Sequence, residues 1–252
     1  MDEFKEITKL MADKTSEIIK SYFRTNINVE SKKDDSPVTI ADKKSEEIIR
    51  EIILKYFPDH GIIGEEFGTF NENAEYKWII DPIDGTQSFI HGATTFGTLI
   101  ALVHNNKPIL GAFNQPILGE FLIGDNEQTT LNGKIVKVSS NNELSQATLS
   151  TTDIFNIKKY HNLDKFLKLS EKAKLFRMWG DAYGYYLVAT GFMDIMIDPI
   201  MNIWDSMALI PIINGAGGII TDYYGNESYE LTSTIACNNN GLLKQVLNIL
   251  HQ

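Results

Sequence analysis

A largely apolar run, Tyr76 to Ile80, leads directly into Asp81-Pro82-Ile83-Asp84-Gly85-Thr86. Few backbone arrangements suit both halves. The apolar run predicts a buried strand. The two carboxylates that follow stand three residues apart, where the strand is expected to give way to a turn. Pro82 fixes one backbone angle between them. Gly85 permits a tight bend, and Thr86 opens a predicted short helix to His91. Such a segment can hold hard cations with its carboxylates and offer helix N-terminal amides to an anion. A cation together with a phosphate is the combination it predicts; a turn with an exposed acidic pair is the alternative.

Two further acidic positions bear on that choice. Gly64-Glu65-Glu66 follows Ile62 and Ile63 and reads as a second strand ending in carboxylates. Trp204 and Asp205 open an apolar helical run through Met207, Ala208, Leu209 and Ile212. Taken singly, Asp205 reads as a helix cap and Glu65 as a solvated loop charge. Taken together with Asp81 and Asp84 they form a set of four carboxylates at element ends, as a multi-magnesium site needs.

Gly64-Glu65-Glu66, the Asp81 to Thr86 run, Trp204-Asp205 and Gly215-Ala216-Gly217-Gly218 occur here in an order and spacing that resembles the inositol monophosphatase superfamily, from about Phe4 to the C-terminus. Within it the chain is most similar to the histidinol-phosphate phosphatase branch. The residues that carry this are Ser36-Pro37-Val38-Thr39-Ile40-Ala41-Asp42, Phe96 to Leu102, Asn114 to Glu120, and Gly180-Asp181-Ala182-Tyr183-Gly184-Tyr185. The resemblance implies a five-layered αβαβα sandwich of α/β class and a magnesium-dependent, lithium-sensitive phosphomonoesterase that works as a homodimer. By motif match, Glu65, Asp81 and the Ile83 carbonyl hold a first magnesium ion, and Asp81, Asp84 and Asp205 a second. A third, weaker ion rests near Glu65. Gly85 and Thr86 give amides to the phosphate, and Thr86 and Asp42, with Glu65 nearby, orient the attacking water. Asp42 reads equally well as the N-cap of the helix that follows it.

The substrate contacts implied are Asp198, at a position where the family places an acidic contact to the leaving group, and Asp181, where inositol-specific members carry a small hydroxyl residue. A carboxylate at Asp181 favours a cationic substrate, and histidinol phosphate carries an ammonium group; capping of the helix from Ala182 is the alternative. Inositol-1-phosphate or another sugar phosphate is the runner-up substrate, and a catalytically inactive binding relative the reading from another class. Bisphosphates and nucleotide 3′-phosphates are disfavoured because no basic cluster suits a second phosphate. His91 lacks the Arg-His-Gly context of a phosphohistidine enzyme, and His60, His104, His161 and His251 read as incidental.

The formal net charge of −10 argues against nucleic acid as a partner. No apolar run approaches the roughly 18 residues of a membrane span, and Met1 to Leu10 lacks a signal-peptide core. With Cys237 as the single cysteine, read as a small core residue, a cytoplasmic location is expected. At 252 residues the chain divides at the polar stretch Ser139 to Ser145 into an expected N-terminal part, 1–145, carrying most metal ligands, and a C-terminal part, 146–252, with the substrate contacts and the last ligand. Helices are expected at Glu3 to Phe23, Asp42 to Phe57, Leu163 to Ala173, Ala182 to Thr190, Trp204 to Asn214 and Gly241 to Leu250. Asn26 to Ser36 reads as a mobile loop, and Asn132-Gly133 as a hairpin turn.

Overall fold

Helix Asp2–Tyr22 begins with Asp2 and Glu3 in its first turn and has Lys20 in its last, charges that complement the helix dipole. Its buried residues Ile7, Met11, Ala12, Thr15 and Ile19 follow the helical period. It packs beside helix Ile40–Tyr56, and the pair covers one face of an eight-stranded sheet. The computed structural model describes residues 1–32 and 37–251. Ser36 of the quoted motif, like residues 33–36 of the expected loop, lies outside them. The preceding part of that loop is not loop: Val29–Ser31 pairs antiparallel with Pro37–Thr39.

The eight-stranded sheet runs, in spatial order, Lys134–Val136, Thr129–Leu131, Glu120–Gly124, Lys107–Gln115, Gly97–His104, Tyr76–Asp84, Gly61–Gly64 and Gly68–Phe70. All neighbours are antiparallel except Gly61–Gly64 and Tyr76–Asp84. Asn132 and Gly133 both have positive φ, 48° and 79°, as the expected tight hairpin requires. On the far face of the sheet lie helices Asp181–Ala189 and Leu209–Gly215, which also touch a second sheet. That sheet has the order Leu175–Arg177, Thr148–Ser150, Ile195–Asp198, Thr234–Cys237, Ile219–Thr221. Helices Leu163–Lys172 and Asn240–Leu250 close its outer face. The layers are therefore α, β, α, β, α. The middle helices are buried from both sides, with Ile210, Ile212 and Ile213 in the largest apolar cluster. Cys237 is fully buried in the outer one. Among the described residues no helix is long and apolar enough to cross a membrane.

Two details of the backbone depart from the sequence reading and set up the site. The strand through Tyr76 does not stop at Asp81; it continues to Asp84 with a bulge. Asp81 pairs with Leu99 and Asp84 with Gly97, so three steps on one strand match two on the other. An odd spacing would put the two carboxylates on opposite faces of a regular strand. The extra residue returns them to the same side, and the Thr98 hydroxyl donates to the Pro82 carbonyl at 2.8 Å across the bulge. The expected single helix from Trp204 is two, Ile203–Ser206 and Leu209–Gly215. Pro211 has no N–H to donate to Met207 and its ring crowds that carbonyl, so the first segment cannot run on through it.

Candidate active site

The parallel pairing of Ile63 with Ile79 and Gly64 with Ile80 brings Glu65 beside Asp81. The Glu65 amide extends this ladder by donating to the Ile80 carbonyl at 3.2 Å. Asp205 arrives from the other side of the sheet, on the short helix that packs against strand Tyr76–Asp84. It occupies the third position of that helix and closes a capping box with Asn202, whose amide donates to Asp205 Oδ2 at 2.7 Å. Capping and clustering thus coexist: single carboxylate oxygens of Asp81, Asp84 and Asp205 all lie within 4.8 Å of one another.

Burial raises the Asp81 and Asp84 carboxyls well above their ordinary range, and neighbouring carboxylates raise them further. For Asp81 these are Glu65, Asp84 and Asp205. Asp205 is pushed up to about 7, first by burial and then by the Glu65 charge, against the opposing bonds from Asn202. Asp81 Oδ1 is buried with no hydrogen-bond partner among the described residues. Buried like charges with an orphaned oxygen are costly unless a cation joins them. The donors are all oxygen, which fits a hard divalent ion such as magnesium and not a zinc site built on Cys or His.

Asp42 is not the N-cap of its helix. Thr39 is, and Asp42 closes its capping box from the third position. Asp42 Oδ2 takes the Thr39 amide at 2.8 Å and the Thr39 hydroxyl at 2.6 Å, which leaves Oδ1 facing the Thr86 hydroxyl at 3.3 Å. Thr86 Oγ1 also stands 3.0 Å from the Ile83 carbonyl. Gly85 takes a left-handed conformation, φ 82°, and caps helix Thr86–Ile90, so the bulged strand turns directly into that helix.

Asp181 does not cap the helix that follows. The cap is Gly180, and no side chain bonds there. Asp181 itself has φ 53°, a left-handed conformation uncommon for a residue with a side chain. It is pinned by its amide donating to Thr152 Oγ1 at 2.8 Å. The next amide, of Ala182, donates to Asp84 Oδ2 at 2.5 Å. The Asp181 carboxylate accepts from Ser88 at 3.2 Å and lies so close to Gly85 that a Cβ there would be 2.8 Å from its Oδ2. Burial first, then the Asp198 charge, pushes Asp181 up to about 7. Asp198 is buried, with Oδ1 accepting from the Thr152 amide at 3.0 Å and Oδ2 from the Tyr185 hydroxyl at 2.9 Å. Asp84, Asp181, Asp198, Asp205, Tyr185 and Thr152 line one cleft of about 100 Å³.

Several residues at the site were missed by the sequence reading. Lys32 Nζ reaches both Glu65 and Glu66 at 2.7 Å. Burial lowers the Lys32 ammonium, but its bonds to and charges from the two glutamates outweigh this and raise it. Glu66 is pushed up to about 7 by burial, against the pull of Lys32. Nothing in the local pattern distinguishes Lys32 from the other charges around it. Glu46 is fully buried, and the available signal was its place one turn after Asp42 on the same helix face. The histidines stand apart from the cleft: His60 stacks on Phe57 and Tyr76, His161 on Tyr223, and His91 Nδ1 faces the Gln87 carbonyl.

A family model described as the inositol monophosphatase family matches residues 1–252. This chain belongs to the inositol monophosphatase family. Its members are metal-dependent phosphatases, in keeping with the acidic cluster. The chain is 43% identical over 233 residues to the bifunctional phosphatase IMPL2, chloroplastic, of Arabidopsis thaliana, covering 90% of this chain and 66% of that longer protein. It is 42% identical over 227 residues to a histidinol-phosphatase of Chlorobaculum parvum, covering 86% and 85% respectively. Among solved structures of the inositol monophosphatase family, one from Zymomonas mobilis superposes with a TM-score of 0.89 at 33% identity, over 100% of this chain and 98% of that one.

Proposed function

We propose that this phosphatase hydrolyses L-histidinol phosphate to L-histidinol and phosphate with magnesium as its metal, held by Glu65, Asp81, the Ile83 carbonyl, Asp84 and Asp205. Two ions are proposed, with a weaker third near Glu65. When bound, magnesium supplies charge neutralisation at the phosphoryl oxygens, an activated water and stabilisation of the leaving oxygen. The chain's own residues supply order. The Thr86 hydroxyl has one proton and two acceptors within reach, Asp42 Oδ1 and the Ile83 carbonyl. With Ile83 engaged as a ligand, that proton goes to Asp42, and the Thr86 lone pairs accept from the attacking water. Asp42 holds its orientation through the two bonds from Thr39. Gly85 and Thr86 offer the phosphate amides at the start of helix Thr86–Ile90.

The substrate reading rests on Asp181. Its carboxylate stands against the glycine proposed to bind phosphate, in the same cleft as Asp198. A substrate whose phosphate lies at Gly85 and whose other end is an ammonium satisfies this arrangement; a neutral polyol leaves two buried carboxylates without a cation. The 42% identity to a histidinol-phosphatase supports the same reading. The test is kcat/KM for histidinol phosphate and inositol-1-phosphate, side by side with magnesium. A preference of about a hundredfold for histidinol phosphate, roughly 2.7 kcal/mol of differential transition-state binding, is expected. Comparable rates would leave a phosphomonoesterase of broad substrate range, and a preference for inositol-1-phosphate would overturn the assignment.

A further inference from the structure

Glu46 carries a carboxylate with no exposed surface in the middle of helix Ile40–Tyr56, and none of the chemistry above uses it. Its surroundings are specific. Oε2 accepts from the Glu66 amide at 2.8 Å, and Oε1 from the Phe67 amide at 3.2 Å. Arg50, one turn on, donates Nε to Oε1 at 2.7 Å. The other end of the Arg50 guanidinium donates to the Gly68 carbonyl. The slot that admits the carboxylate exists because residue 64 has no side chain: a Cβ at Gly64 would lie 1.9 Å from Glu46 Oε1.

These bonds converge on one turn. Strand Gly61–Gly64 is anchored to Tyr76–Asp84 through Gly64 and, one step further, through the Glu65 amide on the Ile80 carbonyl. Beyond Glu65 the chain turns back into the edge strand Gly68–Phe70, and the two amides of that turn, of Glu66 and Phe67, have Glu46 as their acceptor. Glu65 is therefore held from both sides, by the sheet on one and by Glu46 on the other. The same helix carries Asp42, one turn before Glu46. A single rigid element thus fixes the base-side carboxylate and the turn that presents Glu65.

We propose that Glu46 is a positioning residue for the metal site: by binding the Glu66 and Phe67 amides it fixes the direction in which Glu65 presents its carboxylate, and so sets the affinity for the divalent cation. The inference rests on the reading of Glu65 as a metal ligand. Outer partners that orient a ligand typically govern about 10- to 100-fold in metal affinity, and a side chain that acts in this way changes binding more than turnover at saturating metal.

The experiment is calorimetric titration of the metal-free protein with magnesium, together with kcat at saturating magnesium. Glu46→Gln keeps the volume but replaces one acceptor with an NH₂ that faces a donor. About a tenfold or greater loss of magnesium affinity is expected, with kcat at saturation within about twofold of the unsubstituted enzyme. Gly64→Ala expels the same carboxylate from the opposite side, is expected to give the same loss, and serves if Glu46→Gln does not fold. Ile53→Val removes a buried methyl from the same helix away from the turn; it should lower Tm and leave the affinity unchanged. Unchanged affinity in both Glu46→Gln and Gly64→Ala, or an equal loss in Ile53→Val, would overturn the proposal. If the unsubstituted protein binds no magnesium, it is the metal reading of the site that fails.

Discussion

Asp42 and Thr86, 44 positions apart in the chain, meet at 3.3 Å because the helix carrying one begins where the bulged strand preceding the other ends. Neither side chain is free to wander. Asp42 is tied to Thr39 by two bonds, and Thr86 is the first residue of its helix. In Asp42→Asn the single remaining oxygen is held by the two Thr39 donors, so an NH₂ faces Thr86 and cannot draw its proton. A fall in kcat of about 10²- to 10⁴-fold is expected, the range for loss of a positioned proton acceptor, with KM little changed. Initial rates of phosphate release at saturating magnesium measure it. A large rise in KM with kcat intact would mean that the pair binds substrate and does not activate water.

Asp81 should show opposite effects on activity and stability. Its carboxyl is buried among Glu65, Asp84 and Asp205, and its Oδ1 has no partner among the described residues. Asp81→Asn removes a charge that only a cation satisfies. The variant is expected to lose phosphatase activity and, in EDTA, to melt above the unsubstituted protein, because the like-charge repulsion is relieved. Magnesium should raise the Tm of the unsubstituted protein, with about 2.7 kcal/mol of added stability at a hundred times Kd, and should do little for the variant. Scanning calorimetry in EDTA and in magnesium gives both comparisons; a variant that melts lower in EDTA would count against the electrostatic account.

The carboxylates of the proposed metal site stood out in the sequence because they flank apolar runs: Glu65 after Ile62 and Ile63, Asp81 after Ile79 and Ile80, and Asp205 before Met207, Ala208 and Leu209. Their juxtaposition was not. That Asp81 and Asp84 share a side depends on one extra residue opposite Gly97 to Leu99, and a bulge leaves no periodic trace. Thr39 as the true cap was within reach, since Thr39 and Asp42 have the spacing of a capping box. Lys32, just past a short polar strand, was not, and Glu46 left only its place one turn after Asp42, because a charge beside a polar strand or on an amphipathic helix reads as solvated until the partner across the fold is known. The helix break at Met207 was visible in Pro211 and was outweighed by the apolar period around it.

His60 gives the fold an acid-sensitive joint. Burial lowers its pKa from the ordinary 6.5, against a small opposing pull from Asp59. Neutral His60 accepts the Trp78 indole N–H through Nδ1 at 3.1 Å, a bond that a protonated ring cannot accept. The folded pKa is below the unfolded one, so this contribution is present in full above about pH 6.5 and is lost as pH falls through the folded value. His60→Phe keeps the stacking on Phe57 and Tyr76 and removes the acceptor. The Tm advantage of the unsubstituted protein over this variant should stay level from pH 8 to about pH 6.5 and shrink from there towards pH 5, and a constant gap throughout would mean that His60 does not titrate differently on folding.

Asp181 is the residue proposed to govern substrate choice. It holds a left-handed conformation and is bonded through its amide to Thr152. Its carboxylate is pushed up to about 7 by burial and by Asp198, so an ammonium brought beside it would draw it back to the charged form. Asp181→Ser keeps a small hydrogen-bonding group and removes the charge. KM for histidinol phosphate should rise by about 10- to 100-fold, the loss of a partly buried ion pair of roughly 1.4–2.7 kcal/mol, while KM for inositol-1-phosphate stays level or falls. The ratio of the two kcat/KM values measured on one preparation is the decisive quantity, because a general disturbance of the cleft would move both in the same direction. A ratio unchanged by the substitution would remove Asp181 from substrate selection and leave it as a support for the Ala182 amide that binds Asp84.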